Sequence, residues 1–224
     1  MIETVVRGED TKQAILDAAE NLFGEQGYSA TSMRSIVAAA DVNLAAIHYH
    51  FGSKEALLEA VLDRRGKLLE HERFELLSRF EAGAGGKGPE IEQILEAFLA
   101  PAIRLTRDPS GGGRRFVQLV GRLLGEPGEG FRKAFTQQFG ATVARFGAAL
   151  ERALPGTLKE ELFWKMFFSA GAMAHTLRSA GLVRALSDGL CDDSDGEMVL
   201  KRLIAFLAAG MRAPLPVIGP IQGS

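Results

Sequence analysis

The chain has 224 residues, 46% hydrophobic and 24% charged, a length that suffices for one small and one larger helical domain, each with a core. Its single cysteine, Cys191, excludes an internal disulfide framework and favours a reducing, cytoplasmic compartment. The formal net charge of −2 excludes a strongly basic protein, and the longest apolar run, residues 163–177, is too short to span a bilayer, so we expect no membrane association.

Residues 31–54 read TSMRSIVAAADVNLAAIHYHFGSK and predict two short helices joined by a turn of about three residues. Ser32 can cap the first helix. The segment breaks at Asp41, after which Asn43 can cap a second helix over about residues 44–51. Two helices joined in this way are typical of the DNA-binding helix-turn-helix, whose second helix lies in the major groove.

The second helix carries side chains that suit contact with DNA. Ala45 and Ala46 are small, so the helix backbone can approach base edges closely, and their methyl groups can touch a thymine methyl group. His48, Tyr49 and His50 offer hydrogen bonds to phosphates and bases. We therefore interpret this segment as a recognition helix.

Residues 11–58 open with the predicted helix TKQAILDAAENLF and close with the string IHYHFGSKEAL. On these two motifs they resemble the N-terminal domain of the TetR family of transcriptional regulators. This family usually has a glycine at the position of Asp41 and often a tyrosine at that of His48. The resemblance implies phosphate contacts from the side chains at 32, 49, 50 and 54, and base or phosphate contacts from those at 34 and 43. The candidate DNA-binding residues are Ser32, Arg34, Asn43, Ala45, Ala46, His48, Tyr49, His50 and Lys54.

Four of the aromatic and polar residues also have a purely structural interpretation. Asn43 can serve only as a helix cap, and Tyr49 and Phe51 can be core aromatics that anchor the second helix. Lys54 can be an ordinary solvated lysine. These alternatives stay open at the level of sequence.

Beyond the helix-turn-helix, Ser53 can cap a long amphipathic helix that runs to about residue 80 and links the two predicted domains, with Arg64, Arg65 and Lys67 facing outward. A glycine-rich loop follows at 82–89. Further helices are predicted at about 90–106, 114–124, 129–154, 158–180 and 196–211.

No segment has the period of a strand, so the predicted fold is all-α. We expect an N-terminal three-helix helix-turn-helix DNA-binding domain (1–53), a C-terminal helical ligand-binding and dimerisation domain (54–213) and a tail (214–224).

The predicted helix at 158–180 is apolar almost all round beyond Leu162, so more than one of its sides must be covered. The last helix carries a second apolar stripe. Together they can form a four-helix interface with the same two helices of a second chain, and the family resemblance implies such a homodimer. The alternative is a buried core helix in a monomer.

Apolar side chains of the middle helices are candidates for lining an inducer pocket, although most of them can equally be core. Arg122 and His175 are the candidate anchors for a polar head group of the ligand. The candidate ligand-binding residues are Phe98, Phe116, Leu119, Arg122, Leu123, Phe139, Val143, Phe146, Met166, Phe167, Met173 and His175. The region also resembles TetR-type effector domains that respond to fatty acids or acyl-CoA. The implied partner is a small apolar inducer, a fatty acid or fatty acyl-CoA.

These observations together predict a DNA-binding transcriptional regulator, a repressor that binds a palindromic operator as a homodimer and is released by its ligand. We expect no enzymatic activity, since no nucleophile with a matching base is present, and no metal or other cofactor, since the four histidines are scattered. Residues 1–55 carry more carboxylates than Lys and Arg, which is unusual for a DNA-binding domain. An all-helical ligand-binding or interaction protein without specific DNA binding is therefore the alternative.

Overall fold

The fold is taken from a computed structural model, in which residues 2–107, 111–123, 125 and 129–214 are described. These residues form α-helices and no strand, which confirms the all-α prediction. The helices are α1 (Ile2–Gln26), α2 (Met33–Ala40), α3 (Leu44–Phe51), α4 (Lys54–Gly83), α5 (Ile91–Leu105), α6 (Gly112–Leu123), α7 (Glu129–Ala153), α8 (Lys159–Arg178), α9 (Leu182–Leu186) and α10 (Gly196–Arg212).

Most predicted helix bounds agree with the structure within a few residues. The first helix begins earlier than expected, at Ile2, and α5 continues through Pro101. The short helix α9 was not predicted, because its five residues include no buried side chain and so carry no apolar period. Of the predicted tail, all but residue 214 lies outside the described residues. Among the described helices, none is both long and apolar enough to cross a membrane.

The three predicted N-caps at the start of α2, α3 and α4 are confirmed. Each side-chain oxygen accepts the backbone N–H three residues further along, at 3.0 Å for Ser32, 2.8 Å for Asn43 and 3.1 Å for Ser53. Such caps satisfy N–H groups that have no partner inside the helix. Local hydrogen bonds therefore set where these three helices begin.

Asp41 ends α2 in the left-handed conformation, with φ 52° and ψ 46°. The N–H of the next residue donates to the carbonyl of Val37 at 3.2 Å, which closes the last turn of α2. A residue with a Cβ is strained in this region, and glycine is not.

We expect Asp41→Gly to raise the free energy of unfolding by about 0.5 to 1 kcal/mol, because relief of strain exceeds the added flexibility of the unfolded chain. Urea unfolding at neutral pH measures this change. Asp41→Asn is the matched control, since asparagine tolerates the same conformation and removes only the charge, and we expect it to change stability less. A lower free energy of unfolding for Asp41→Gly would mean that the aspartate stabilises the turn.

The first core joins α1, α2 and α3 to the beginning of α4 and to α6. Its fully buried side chains include Ile15, Ala19, Phe23, Ile36, Ile47, Leu57, Leu58, Val61, Leu62 and Leu119. Because α4 and α6 contribute to this core, packing does not separate residues 1–53 from the rest of the chain. The second core joins the end of α4 to α5, α7, α8 and α10. Helix α4 thus has one end in each core.

A buried charge cluster connects α1 to α4. Glu20 is 2% exposed, pairs with Arg64, and lies with its Oε1 3.6 Å from Arg65 Nε. Arg64 also pairs with Asp17, at 2.6 Å. The prediction that both arginines face outward is wrong: their side chains are only 20% and 24% exposed, because α1 covers this side of α4. Part of the negative charge of the N-terminal region is therefore neutralised within the fold.

We expect Glu20→Gln to lower the free energy of unfolding by about 2 to 3 kcal/mol, because Arg64 and Arg65 lose a buried carboxylate. Chemical denaturation measures the change. Asp17→Asn is the matched control: its side chain is 66% exposed and pairs with the same Arg64, so we expect less than about 1 kcal/mol. Equal losses in the two variants would contradict a role for burial.

Candidate nucleic-acid interface and ligand pocket

Helix α3 has one buried and one exposed side. Ile47 is fully buried in the first core, which fixes the orientation of the helix. The exposed residues of α3 are Leu44, 43% exposed, Ala45, His48 and Tyr49, which is 86% exposed, and of these Ala45 and Tyr49 lie opposite Ile47. A tyrosine this exposed is not a core aromatic. Its hydroxyl is available to a phosphate.

Ala45 and Ala46, which were predicted to play the same role, differ in their exposure. Ala45 is exposed and lies one helical turn from both His48 and Tyr49, whereas Ala46 is half-buried at the side of the helix. Of the two alanines, Ala45 is therefore the one whose small side chain leaves the backbone of α3 accessible from outside. Leu44 was not among the predicted DNA-binding residues, since a leucine at the start of a helix is ordinarily a core residue.

His48 is held by a hydrogen bond between its Nδ1 and the carbonyl oxygen of Gly52, at 3.0 Å. A carbonyl oxygen only accepts hydrogen bonds, so we assign the proton of the neutral ring to Nδ1. Nε2 then accepts in the neutral ring. This nitrogen can accept a hydrogen bond from the amino group of adenine or cytosine in the major groove.

Lys54 lies at the N-terminus of α4, where the helix dipole also favours a phosphate. Its ammonium nitrogen is 4.3 Å from the ring centroid of Tyr28, whose hydroxyl donates to Glu55 Oε1 at 3.0 Å. Burial, and then the hydrogen bond to Glu55, raise the pKa of Tyr28 above its ordinary value. Hydrogen bonds from its own backbone and from Tyr28 lower the pKa of Glu55. At neutral pH the phenol is therefore protonated and the carboxylate is charged.

The remaining predicted DNA-binding residues lie beside these elements. Ser32 is exposed and forms a capping box with Ser35, and Arg34 is exposed in the first turn of α2. Asn43 caps α3 through its oxygen, so its exposed amide nitrogen is the group that can reach DNA. His50 is half-buried, with its ring centroid 5.2 Å from that of Tyr49. The described residues place no three His, Cys, Asp or Glu side chains together for a metal ion.

The predicted ligand-binding residues do not line one pocket. Phe116, Leu119 and Leu123 are buried in the first core. Arg122 is exposed and donates to the carbonyl of Glu25 at 2.6 Å, so it holds α6 against the end of α1. His175, the second predicted anchor, is also exposed.

Only some of the predicted pocket residues come together in the second core. Phe98, Phe146 and Met166 line a cavity of about 20 Å³. Val143 and Met166 line a groove of about 190 Å³ between α7 and α8. Met173 packs in both cores. Phe139 lies outside both, with its ring 4.5 Å from that of a neighbouring phenylalanine of α7.

The structure adds a residue that the sequence did not indicate, the arginine at position 73 of α4, which is only 2% exposed beside Phe98. Arginine in an amphipathic helix is ordinarily assigned to the solvent side, so its burial left no signal in the sequence. The opposite case is Phe167, a predicted pocket residue that is 65% exposed.

Phe167 belongs to an exposed apolar face of α8 and α10, which we call the aromatic face. Its members, with their exposed fractions, are Phe163 61%, Trp164 50%, Phe167 65%, Phe168 60% and Phe206 73%. The rings of α8 contact one another, with centroids 5.6 Å apart for Trp164 and Phe168. Monomeric proteins rarely expose an apolar patch of this size, so the face is suited to contact with another protein surface.

Two family profiles match the chain. One, described as tetracyclin repressor-like, C-terminal domain, matches residues 96–210, and the other, described as bacterial regulatory proteins, tetR family, matches residues 15–61. The second match contains the whole helix-turn-helix. The first covers α6, α7, α8, α9 and most of α5 and α10.

Individual proteins are similar to parts or to most of the chain. An HTH-type transcriptional repressor of Mycobacterium tuberculosis is 48% identical over 61 residues, which are 27% of this chain and about a third, 32%, of that relative. The fatty acid degradation regulator FadR from Bacillus halodurans has a TM-score of 0.56 at 14% identity, over 91% of this chain and 97% of that one. The SmeT–triclosan complex has a TM-score of 0.58 at 22% identity, over 95% and 99%. At these identities the structures are evidence of a shared fold.

Proposed function

Because the chain belongs to the TetR family of bacterial transcriptional regulators, we propose that it represses transcription as a homodimer on a palindromic operator and is released by a small, largely apolar molecule. The observation that carries this proposal is the exposed side of α3. Ala45, His48 and Tyr49 face outward while Ile47 anchors the helix, which is the arrangement that major-groove reading requires.

The proposed DNA contacts divide into two kinds. Ala45, Ala46 and His48 would meet base edges, whereas Ser32, Tyr49, His50 and Lys54 would hold phosphates. Arg34 and Asn43 would reach bases or nearby phosphates. The pairing of Glu20 and Asp17 with arginines of α4 supports this assignment, because it removes two carboxylates from the charge that would repel DNA.

The proposed homodimer uses the aromatic face. Two copies related by a two-fold axis would cover Phe163, Trp164, Phe167 and Phe168 of α8 and Phe206 of α10 with the same residues of the partner. The twofold repeat of the recognition helix would then match a palindromic operator and double the phosphate contacts. The alternative of a monomer with α8 in its core is disfavoured by the exposure of these rings.

Release by a ligand would act through α4. Its first half packs in the first core beside α3, and its second half, from Leu77 on, packs in the second core. We propose a functional division into a DNA-binding unit, 1–53, and a ligand-binding and dimerisation unit, 54–213, with α4 as the connecting helix, although the first core contains residues of both units. A ligand that favours a different position of α4 would change the separation of the two recognition helices.

The apolar groove and cavity beside Met166 support the proposal that the inducer is a small apolar molecule. The proposed class is a fatty acid or a fatty acyl-CoA. The similar FadR is described as a regulator of fatty acid degradation, and the similar SmeT forms a complex with triclosan. Methionine at this position allows the lining to adapt to its ligand.

Selection of bound sequences from a random DNA pool, at moderate salt, tests the proposal. We expect one enriched palindromic motif, bound by two chains, as measured by light scattering of the purified complex. A folded dimer that enriches no sequence would overturn DNA recognition and favour the all-helical ligand-binding or interaction protein. A motif without two-fold symmetry would overturn the proposed arrangement of the dimer.

A further inference from the structure

The segment between α8 and α10 is folded by its own hydrogen bonds. Gly181 turns the chain at the end of α8 with φ 82°, and its N–H donates to the Asp193 carboxylate. The Cys191 N–H donates to the Ser187 hydroxyl at 2.9 Å. Asp195 caps the start of α10. Local bonds therefore hold this segment in one conformation.

This ordered segment exposes its apolar side chains. Helix α9 has no buried residue, and none of the four side chains concerned packs in either core of the described residues. Ordering a segment costs about 1 to 2 kcal/mol per residue in backbone entropy, which burial ordinarily offsets. The four side chains, which we call the aliphatic arm, are Leu182, Val183, Leu186 and Leu190, with exposed fractions of 45%, 45%, 79% and 89%. Apolar surface held in place in this way is suited to contact with another protein surface.

The aliphatic arm continues the exposed side of α8 on which the aromatic face begins. Phe168, Gly171 and His175 follow one another at steps of about one helical turn and are all exposed. A Cβ added at Gly171 would meet no atom within 4 Å, so the surface there is open. The arm begins a few residues further along the chain, at Leu182. One exposed strip therefore runs from the aromatic face to the arm.

The aromatic face alone is small for a dimer interface. At about 200 Å² of surface for each aromatic side chain, the exposed fractions of its five members amount to roughly 600 Å². A stable interface buries about 800 Å² or more on each partner. A stable dimer therefore requires further surface beside the aromatic face, and the aliphatic arm lies at the other end of the same strip.

We infer that the aliphatic arm is a second contact of the homodimer, in which its four side chains pack against a second copy of the chain. The inference rests on, and deepens, the homodimer proposed above, because that dimer joins the same side of α8 in both chains. Helix α8 has 20 residues and is about 30 Å long, so two such helices packed along this side bring the end of each beside the partner chain. Two-fold symmetry makes the arm contribute twice.

Sedimentation equilibrium on the full chain without DNA tests the inference through the dissociation constant of the dimer. The variants are Leu186→Glu and Leu190→Glu, which change the two most exposed side chains of the arm and so leave the packing of one chain intact. We expect each to raise the dissociation constant at least about tenfold, because a charge would be desolvated at the contact. The matched control is Leu68→Glu, which changes an exposed leucine of α4 and should stay within about twofold of wild type.

A second measurement detects the contact directly. Cys191, the single cysteine of the chain, is exposed and follows Leu190, so an environment-sensitive dye attached to its thiol reports on the arm. We expect the dye to emit at a shorter wavelength in the dimer than after dilution to the monomer, because the partner chain excludes water from the arm. Sedimentation of the labelled protein checks that it still dimerises.

The outcomes separate the arm from the dimer itself. A wild-type dimer whose dissociation constant is unchanged in both Leu186→Glu and Leu190→Glu would overturn the arm and leave the homodimer on the aromatic face intact. Equal emission of the dye in dimer and monomer would do the same. A wild type that stays monomeric throughout would overturn the proposed homodimer, and with it this inference. Circular dichroism of each variant checks its fold.

Discussion

Replacing Ala45 by leucine is expected to abolish sequence-specific DNA binding, with a loss in operator affinity of at least about a hundredfold. Ala45 lies on the outward side of α3, opposite the buried Ile47 and one turn from His48 and Tyr49. A leucine there would hold the helix away from the groove and separate all the base-contacting side chains from their targets. Fluorescence anisotropy with the selected operator and a scrambled duplex measures the loss.

The matched control is Ala82→Leu, which adds the same side chain at an exposed position near the far end of α4. We expect operator affinity within about twofold of wild type, because surface substitutions of this kind usually change little. Unfolding curves should be similar for both variants. Wild-type affinity and an unchanged selected motif in Ala45→Leu would show that α3 does not lie in the groove as proposed.

The second large effect is expected from Phe167→Glu, which should convert the proposed dimer into a monomer at micromolar concentration. The Phe167 ring is 65% exposed in one chain and contacts Trp164 at a centroid distance of 6.1 Å within the aromatic face. In the proposed dimer a glutamate at this position would be buried without a cation, which costs several kcal/mol. Sedimentation velocity measures the assembly state.

Loss of the dimer should lower operator affinity by at least about a hundredfold, because each half-site would then be bound independently. Leu68→Glu is the matched control, since Leu68 is 53% exposed on α4 and lies outside the aromatic face. It should remain dimeric. A dimeric Phe167→Glu would contradict the use of this face, and a monomer with full operator affinity would contradict the need for two chains.

The helix-turn-helix was predicted closely because the signals that define it are local. Ser32, Asn43 and Ser53 each bond to a backbone N–H three residues away, so the start of each helix depends on few neighbours. The turn was less predictable. Asp41 adopts the left-handed conformation that the family usually gives to glycine, which the residue type alone does not indicate.

The core in which each predicted pocket residue packs could not be predicted, for a physical reason. An apolar period shows that one side of a helix is buried, but it does not show which helix covers that side. Phe116 and Leu119, two of the pocket candidates, pack in the first core, while Phe98 and Phe146 meet in the second. Arg122, expected near the ligand, instead bonds to the end of α1.

The helical class, the bounds of α2 and α3 and the family resemblance could be predicted from the amino-acid sequence, because helix caps, apolar spacing and a short motif act over a few residues. The surroundings of the arginines of α4 could not be predicted. Arg64 and Arg65 meet α1, and Arg73 is enclosed by α5 and α8, since this helix is covered on several sides rather than on one. Burial of a charge depends on neighbours that are distant in the chain, and no local pattern encodes them.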